Sequence, residues 1–173
     1  MDRLSYVQVQ TDNPDHLQVF ERLMLLYFPE LDAHRPNEPA IPTEKIKEYT
    51  RGMINRQGDH DRHLMLCYDR EQLIGFFYAK VDHPGHLGFI KPEYGYIMEF
   101  YVLPEHRRKG YGTEMFRHIQ TLFHAHGTQR MYLTADQVTG KPFWLAQGFE
   151  HLGEISPENG MKIYERACRK SEP

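Results

Sequence analysis

The stretch Tyr96-Ile97-Met98-Glu99-Phe100-Tyr101-Val102-Leu103-Pro104-Glu105-His106-Arg107-Arg108-Lys109-Gly110-Tyr111-Gly112 decides how this chain reads. Its first half is an apolar run of strand type, the middle of a strand expected over 94–103. Its second half is a basic turn with glycines at 110 and 112. That turn opens an amphipathic helix expected over 110–126, with Met115, Ile119, Leu122 and Phe123 along one stripe. Such a turn gathers backbone N–H groups and the positive end of a helix dipole at one point, a place for phosphate. A plain strand–helix turn with solvated basic residues is the competing reading, because short glycine patterns arise by chance.

Outward from this stretch the chain alternates between the two hydrophobic periods. A short first strand is expected over 5–10. Asn13-Pro14 then reads as an N-cap followed by proline in the first turn, and Leu17, Phe20, Met24, Tyr27 and Phe28 recur at helical spacing. Proline 29 is expected to end that helix, leaving 29–42 as a loop, and Thr43 to cap a second helix that carries Ile46, Tyr49 and Met53. Strands are expected over 63–68 and 73–81, joined by the turn 69–72. A fifth strand follows at 131–134, a short helix at 139–147, and closing strands at 149–155 and 161–166. The order is β-α-α-β-β-β-α-β-α-β-β, with no internal repeat and no linker, which predicts a single domain over 1–173.

Composition narrows the classes. With 173 residues the chain can bury a real core, and its net charge of −3 argues against nucleic-acid or membrane-surface binding. Residues 1–90 carry 10 Lys/Arg against 14 Asp/Glu, and residues 91–173 carry 11 against 10, so the phosphate-type turn lies in the slightly basic half. The longest apolar run, 23–28, is too short to span a bilayer. Two cysteines, Cys67 and Cys168, do not make a disulfide framework. A cytoplasmic protein is expected. Among 11 histidines, His60/His63 and His83/His86 are spaced by three, but neither pair has a third ligand on a regular element, so no metal is expected.

Two motifs on the expected elements give the chain a family resemblance. It resembles the GNAT superfamily of acetyl-CoA-dependent N-acetyltransferases. The pyrophosphate signature Gln/Arg-x-x-Gly-x-Gly/Ala stands here as Arg107-x-x-Gly110-x-Gly112, after the lead-in Val102-Leu103-Pro104-Glu105. The second signature, Asn-x-x-Ala-x-x-Phe-Tyr-x-x-x-Gly-Phe, reads Gln137-x-x-Gly140-x-x-Phe143-Trp144-x-x-x-Gly148-Phe149. The resemblance implies an α/β fold of α+β type. Its sheet would be mixed, mostly antiparallel, with about seven strands, four flanking helices, and strands 4 and 5 splayed. It also implies transfer of an acetyl group from acetyl-CoA to a primary amine of a small molecule or peptide. Two other readings stay open: a non-catalytic acyl-CoA-binding or sensing domain, and an acyltransferase for a different acyl group. Whether two copies form a homodimer is left open.

The resemblance also distributes roles. Backbone and side chains of Arg107, Arg108, Lys109, Gly110, Tyr111, Gly112 and Thr113 would hold the pyrophosphate, and pantetheine would run alongside Phe100, Tyr101 and Val102. Gln137, Phe143 and Trp144 would meet the cofactor from the second motif. Trp144 stands where the family usually carries a tyrosine that reprotonates the thiolate, and an indole N–H has no useful acidity. For the base, Glu99 is the one acid inside the fourth strand, with a structural pairing as its alternative. Strand alternation puts it opposite Tyr96, Met98 and Phe100. Tyr132 and Tyr164 are candidates near the thiolate. Acceptor contacts are expected from the region after the first helix: Tyr27, Phe28, Glu30 and Asp32, an acidic and aromatic set suited to a cationic amine.

Overall fold

The computed structural model describes residues 3–57 and 61–168. Seven strands and four helices alternate along it. They are β1 (Leu4–Gln8), α1 (Pro14–Ala33), α2 (Thr43–Asn55), β2 (Arg62–Asp69), β3 (Gln72–Val81), β4 (Gly95–Val102), α3 (Tyr111–Ala125), β5 (Arg130–Thr134), α4 (Gly140–Ala146), β6 (Glu150–Ile155) and β7 (Lys162–Ala167). The strands form one mixed sheet in the order β1-β2-β3-β4-β5-β7-β6, in which β4 and β5 run parallel. The chain divides into two compact units, 1–78 with 99–112 and 79–98 with 113–173, and the boundaries fall inside β3, β4 and the first turn of α3.

In the first unit, β1 pairs antiparallel with β2, Leu4 opposite Asp69 through Gln8 opposite Met65. Helix α1 starts where the sequence places it. The Asn13 side chain accepts from the backbone N–H groups of Asp15 at 3.1 Å and His16 at 3.2 Å, satisfying two of the orphan donors of the first turn. Its apolar stripe buries Phe20, Leu23 and Met24, with Ile46 and Met53 of α2 and Leu64, Leu66, Ile74, Phe76 and Phe77 of the sheet among the core residues. Phe20 meets Phe76 edge to face at 5.2 Å.

The expected end of α1 at Pro29 is corrected: the helix runs through Pro29 to Ala33. Proline costs a backbone hydrogen bond in a helix interior, but this last turn is held by side chains. Asp32 accepts from the backbone N–H of Ile41 and from Arg35, both at 2.7 Å, and Glu30 is held by an arginine described below. Glu30 and Asp32 are therefore helical residues and not loop residues. Thr43 is also corrected. It is the first helical residue of α2, Pro42 is the N-cap, and no side chain caps that end.

In the second unit, β5 pairs antiparallel with β7 from Arg130 opposite Ala167 to Thr134 opposite Ile163. Met115, Phe116, Ile119 and Phe123 of α3 are buried, as are Met131, Leu133, Phe149, Ile163 and Tyr164. Between β4 and β5 the register pairs are Gly95 with Met131 and Tyr96 with Tyr132. Past Tyr96 the parallel ladder stops, although β4 continues and Leu133 and Thr134 go on pairing with β7. The amino end of α4 is capped by Asp136, which accepts from the backbone N–H groups of Val138, Thr139 and Gly140 at 2.7–2.9 Å. A β-carbon at position 140 would sit 2.5 Å from that carboxylate, which accounts for glycine where the family motif carries alanine.

Candidate active site

Everything between β4 and α3 is short-range structure with long-range ties. After Val102 a 3₁₀ turn, Pro104–His106, leads to the loop 107–110 and then to the first turn of α3 at Tyr111. Arg108 and Gly110 have positive φ, 60° and 87°. A β-carbon at Gly110 would meet nothing within 4 Å, so the glycine there serves its backbone angle and leaves space beside it. Arg108, Lys109 and Gly110 are exposed. Open space beside Gly110, a left-handed backbone at Arg108 and Gly110, and two exposed cations thus stand together at the amino end of α3.

Arg107 is turned away from the pyrophosphate role expected of it. Its Nε donates to the Val102 carbonyl at 2.8 Å, and its two terminal nitrogens donate to the Glu30 carboxylate at 2.6 and 2.9 Å. This is a bidentate pair of the strong, planar kind. The Tyr101 hydroxyl donates to the same carboxylate at 3.3 Å, and burial, then the Glu30 charge, push its phenol up to about 12. Glu30, expected to face an acceptor, is committed to the loop instead.

Glu99 lies two residues before Tyr101 on the same strand. It points to the side of β4 that meets α1 and α2, as Tyr101 does. The Tyr27 hydroxyl donates to one carboxylate oxygen at 2.7 Å and the Tyr49 hydroxyl to the other at 3.0 Å. Among the described residues no cation pairs with it. Burial pushes its carboxyl up to about 7, against the lowering pull of the two tyrosine hydroxyls. A carboxylate that titrates near neutrality and accepts from two neutral donors is what a general base needs. The rings around it are packed edge to face: Tyr27 with Phe28 at 5.5 Å and Phe28 with Tyr49 at 5.7 Å.

The family-wide model for the acetyltransferase (GNAT) family matches residues 17–149. The chain belongs to the GNAT family of acetyltransferases. No curated protein sequence matches it significantly. Solved GNAT structures share its fold at low identity. An acetyltransferase from Thermus thermophilus superposes with a TM-score of 0.68 at 19% identity, covering 96% of this chain and 99% of its own. The PaiA N-acetyltransferase from Thermoplasma acidophilum, in complex with coenzyme A, gives 0.69 at 16% identity, covering 95% and 98%. An aminoglycoside 6′-acetyltransferase type Ii gives 0.62 at 17% identity, covering 98% and 99%.

The remaining residues singled out from sequence divide by surroundings. Asp32 is taken up by Arg35 and the Ile41 N–H. Tyr132 is buried, its ring stacked on Tyr96 at 4.4 Å, and its hydroxyl donates to Asp82; burial, then Asp82, raise its pKa far beyond any acid role. Tyr164 is also buried, 5.8 Å from the ring of His151. Trp144 is 5% exposed and packs against Phe116, Phe143 and Phe149 at 4.8–5.5 Å. Gln137 is exposed and donates to the Ala135 carbonyl at 3.2 Å, and Thr113 accepts from Gln147 at 3.4 Å. His60 lies outside the described residues. Sequence reasoning had no place for Tyr49 as a partner of Glu99. Nor did it anticipate the buried pair Lys80–Asp82, 2.8 Å apart and 4% and 0% exposed. Its available signal was two opposite charges two apart, one at the end of an otherwise apolar strand and one just past it.

Proposed function

We propose that this GNAT enzyme moves an acetyl group from acetyl-CoA to a primary amine of a small molecule or peptide, by direct attack within a ternary complex, with Glu99 as the base. The observation that carries this reading is the Glu99 carboxylate, held by Tyr27 and Tyr49 with its pKa raised to about 7 and, among the described residues, no cation beside it. An alkyl ammonium has a pKa of roughly 10 and must lose a proton before attack. A carboxylate near 7 is half available at neutral pH and is a far better proton acceptor than an exposed glutamate.

The other roles follow the chain. The backbone of residues 108–113, with the Arg108 and Lys109 side chains, holds the pyrophosphate, and the Phe100–Val102 backbone lies along the pantetheine arm. Bound acetyl-CoA supplies the activated thioester. The protein's own contribution is to hold it, to orient the amine beside Glu99 and to take up the proton. The rings of Tyr27, Phe28 and Tyr49 stand beside Glu99, where the acceptor amine would arrive. The thiolate proton comes from solvent, since Tyr132 keeps its proton for Asp82 and the Trp144 indole N–H has no useful acidity. We take 1–173 as one catalytic domain, with both units contributing to β3 and β4. The free thiols Cys67 and Cys168 accord with a cytoplasmic setting.

Thiol release from acetyl-CoA, measured over a panel of amines including an aminoglycoside, small diamines and a peptide N-terminus, tests this. The expected outcome is turnover with at least one amine, a KM for acetyl-CoA on the order of 1 μM to 1 mM, and a rate that rises through a pKa near 7. Calorimetry showing no binding of acetyl-CoA or CoA at millimolar ligand would refute it.

A further inference from the structure

The loop that follows β4 is tied down at both ends, by carboxylates from different elements. At its start stands the Glu30–Arg107 pair, with Arg107 also bonded to Val102 and its guanidinium 5.4 Å from the Tyr101 ring centre. At its end, the Tyr111 hydroxyl donates to Asp69, the last residue of β2, at 2.6 Å. Arg3 completes this second tie. Its guanidinium lies 3.8 Å over the Tyr111 ring, 3.7 Å from the Asp69 carboxylate, and donates to the Lys109 carbonyl at 3.1 Å. Between the two ties, Arg108 and Gly110 hold their left-handed angles with open space at Gly110.

Two carboxylates near a phosphate-binding loop are an unfavourable choice on charge alone. Each is offset by its own arginine, so neither repels an incoming anion with a full charge. Arg108 and Lys109 then supply the attraction, and the backbone supplies the fit. The arrangement makes sense as geometry: it fixes loop residues whose angles an unrestrained chain would adopt only part of the time, so less ordering is left to the moment of binding.

We propose that Glu30 and Asp69 are positioning residues of the cofactor loop, a two-point clamp that sets its backbone for the pyrophosphate. This rests on the reading of that loop as the pyrophosphate cradle. Glu30 acts through Arg107, and Asp69 acts through Tyr111 and Arg3.

Calorimetric titration of the purified full chain with CoA, and with phosphate-free pantetheine, tests the clamp in Glu30→Gln, Asp69→Asn and Tyr111→Phe. Each variant is expected to bind CoA roughly ten-fold more weakly while its affinity for pantetheine shifts by less than about two-fold. In turnover, KM for acetyl-CoA rises and kcat holds. Combined with Arg107→Ala, Glu30→Gln is expected to add no further loss, because it acts through that residue. Tighter CoA binding by Glu30→Gln would overturn the proposal, since Glu30 would then be competing with phosphate for Arg107. Equal losses for CoA and pantetheine, or additive losses in the double variant, would also overturn it. Should Asp69→Asn fail to fold, Tyr111→Phe, which loses a single hydroxyl, decides for the second tie; should Glu30→Gln fail, Glu30→Asp, which keeps the charge but shortens the reach to Arg107, decides for the first, with weaker CoA binding expected and unchanged binding overturning that tie. Wild-type protein that binds no CoA would instead sink the cradle reading, a result distinct from wild-type binding with indifferent variants.

Discussion

Glu99 and Asp82 are two acids of the sheet region that each accept from tyrosine hydroxyls, and their surroundings give them opposite characters. Asp82 has an ammonium at 2.8 Å, a backbone N–H from Lys91 at 2.9 Å and the Tyr132 hydroxyl, and is itself fully buried. Glu99 has two hydroxyls and no charged partner among the described residues. A buried charge with its counter-charge is part of the framework. A carboxylate pushed up to about 7 by burial is poised to exchange a proton. What separates the two acids here is the cation, present beside Asp82 and, among the described residues, missing beside Glu99.

The largest test of that contrast is Asp82→Asn. It leaves the Lys80 ammonium buried without its counter-charge, and a loss of about 3–5 kcal/mol in urea unfolding is expected, while the folded fraction keeps its pH–rate limb near 7. Glu99→Gln is expected to do the reverse. Its kcat/KM falls about 100-fold, equivalent to about 2.7 kcal/mol, and the limb near pH 7 disappears. An unchanged pH–rate profile would place Glu99 with Asp82 as structure. The sign of its effect on stability follows from linkage. With a folded pKa of about 7 against a usual 4.5, the native state holds more protons than the unfolded one over that window, so wild-type stability declines as pH rises through it. Glu99→Gln removes this slope. The variant should match wild type near pH 4 and exceed it at pH 8, a crossing that chemical unfolding at the two pH values would reveal.

Smaller effects refine the contrast. Trp144→Tyr shrinks a packed ring in the cluster of Phe116, Phe143 and Phe149, and a loss of about 1 kcal/mol with no gain in rate is expected. A faster enzyme would mean that an acid at this position reaches the thiolate. Smallest is Tyr49→Phe. Tyr49 lowers the Glu99 pKa, so deleting its hydroxyl should move the limb to higher pH, costing a few-fold in rate at pH 7 and recovering above pH 8.

Local signals carried most of the fold into the sequence. The turn at 107–112, the cap at Asn13 and the stripe Met115, Ile119, Phe123 each depend on neighbours within a few residues, and each was readable. Proline 29 misled for the same reason. Its local meaning is a helix end, and the last turn of α1 survives through Arg107 and the Ile41 N–H, which no window around residue 29 contains. The active site shows the limit more sharply. Glu99 was readable as the one acid of β4. Its partners stand 72 and 50 residues away on two helices, and nothing in the spacing of Tyr27 or Tyr49 announces a shared carboxylate. Glu30 looked like an acceptor contact because acidic character is visible in sequence and the arginine that neutralises it is not.

One unbroken piece of chain, 95–112, carries both Glu99 and the loop proposed to hold the cofactor. It works as a ruler: on the proposed reading, the run of chain from Glu99 to Arg107 sets the spacing between the proton acceptor and the anion cradle, while the ties to Glu30 and Asp69 set the loop's angles. For engineering, this makes it the worst place in the molecule for an insertion, a tag or a new terminus, since one added residue displaces one end of the reaction from the other. The segment 36–40, exposed and outside any helix or strand, is the natural site for such surgery. A homologue that differs in length between these two landmarks should be expected to have changed its chemistry as well as its shape.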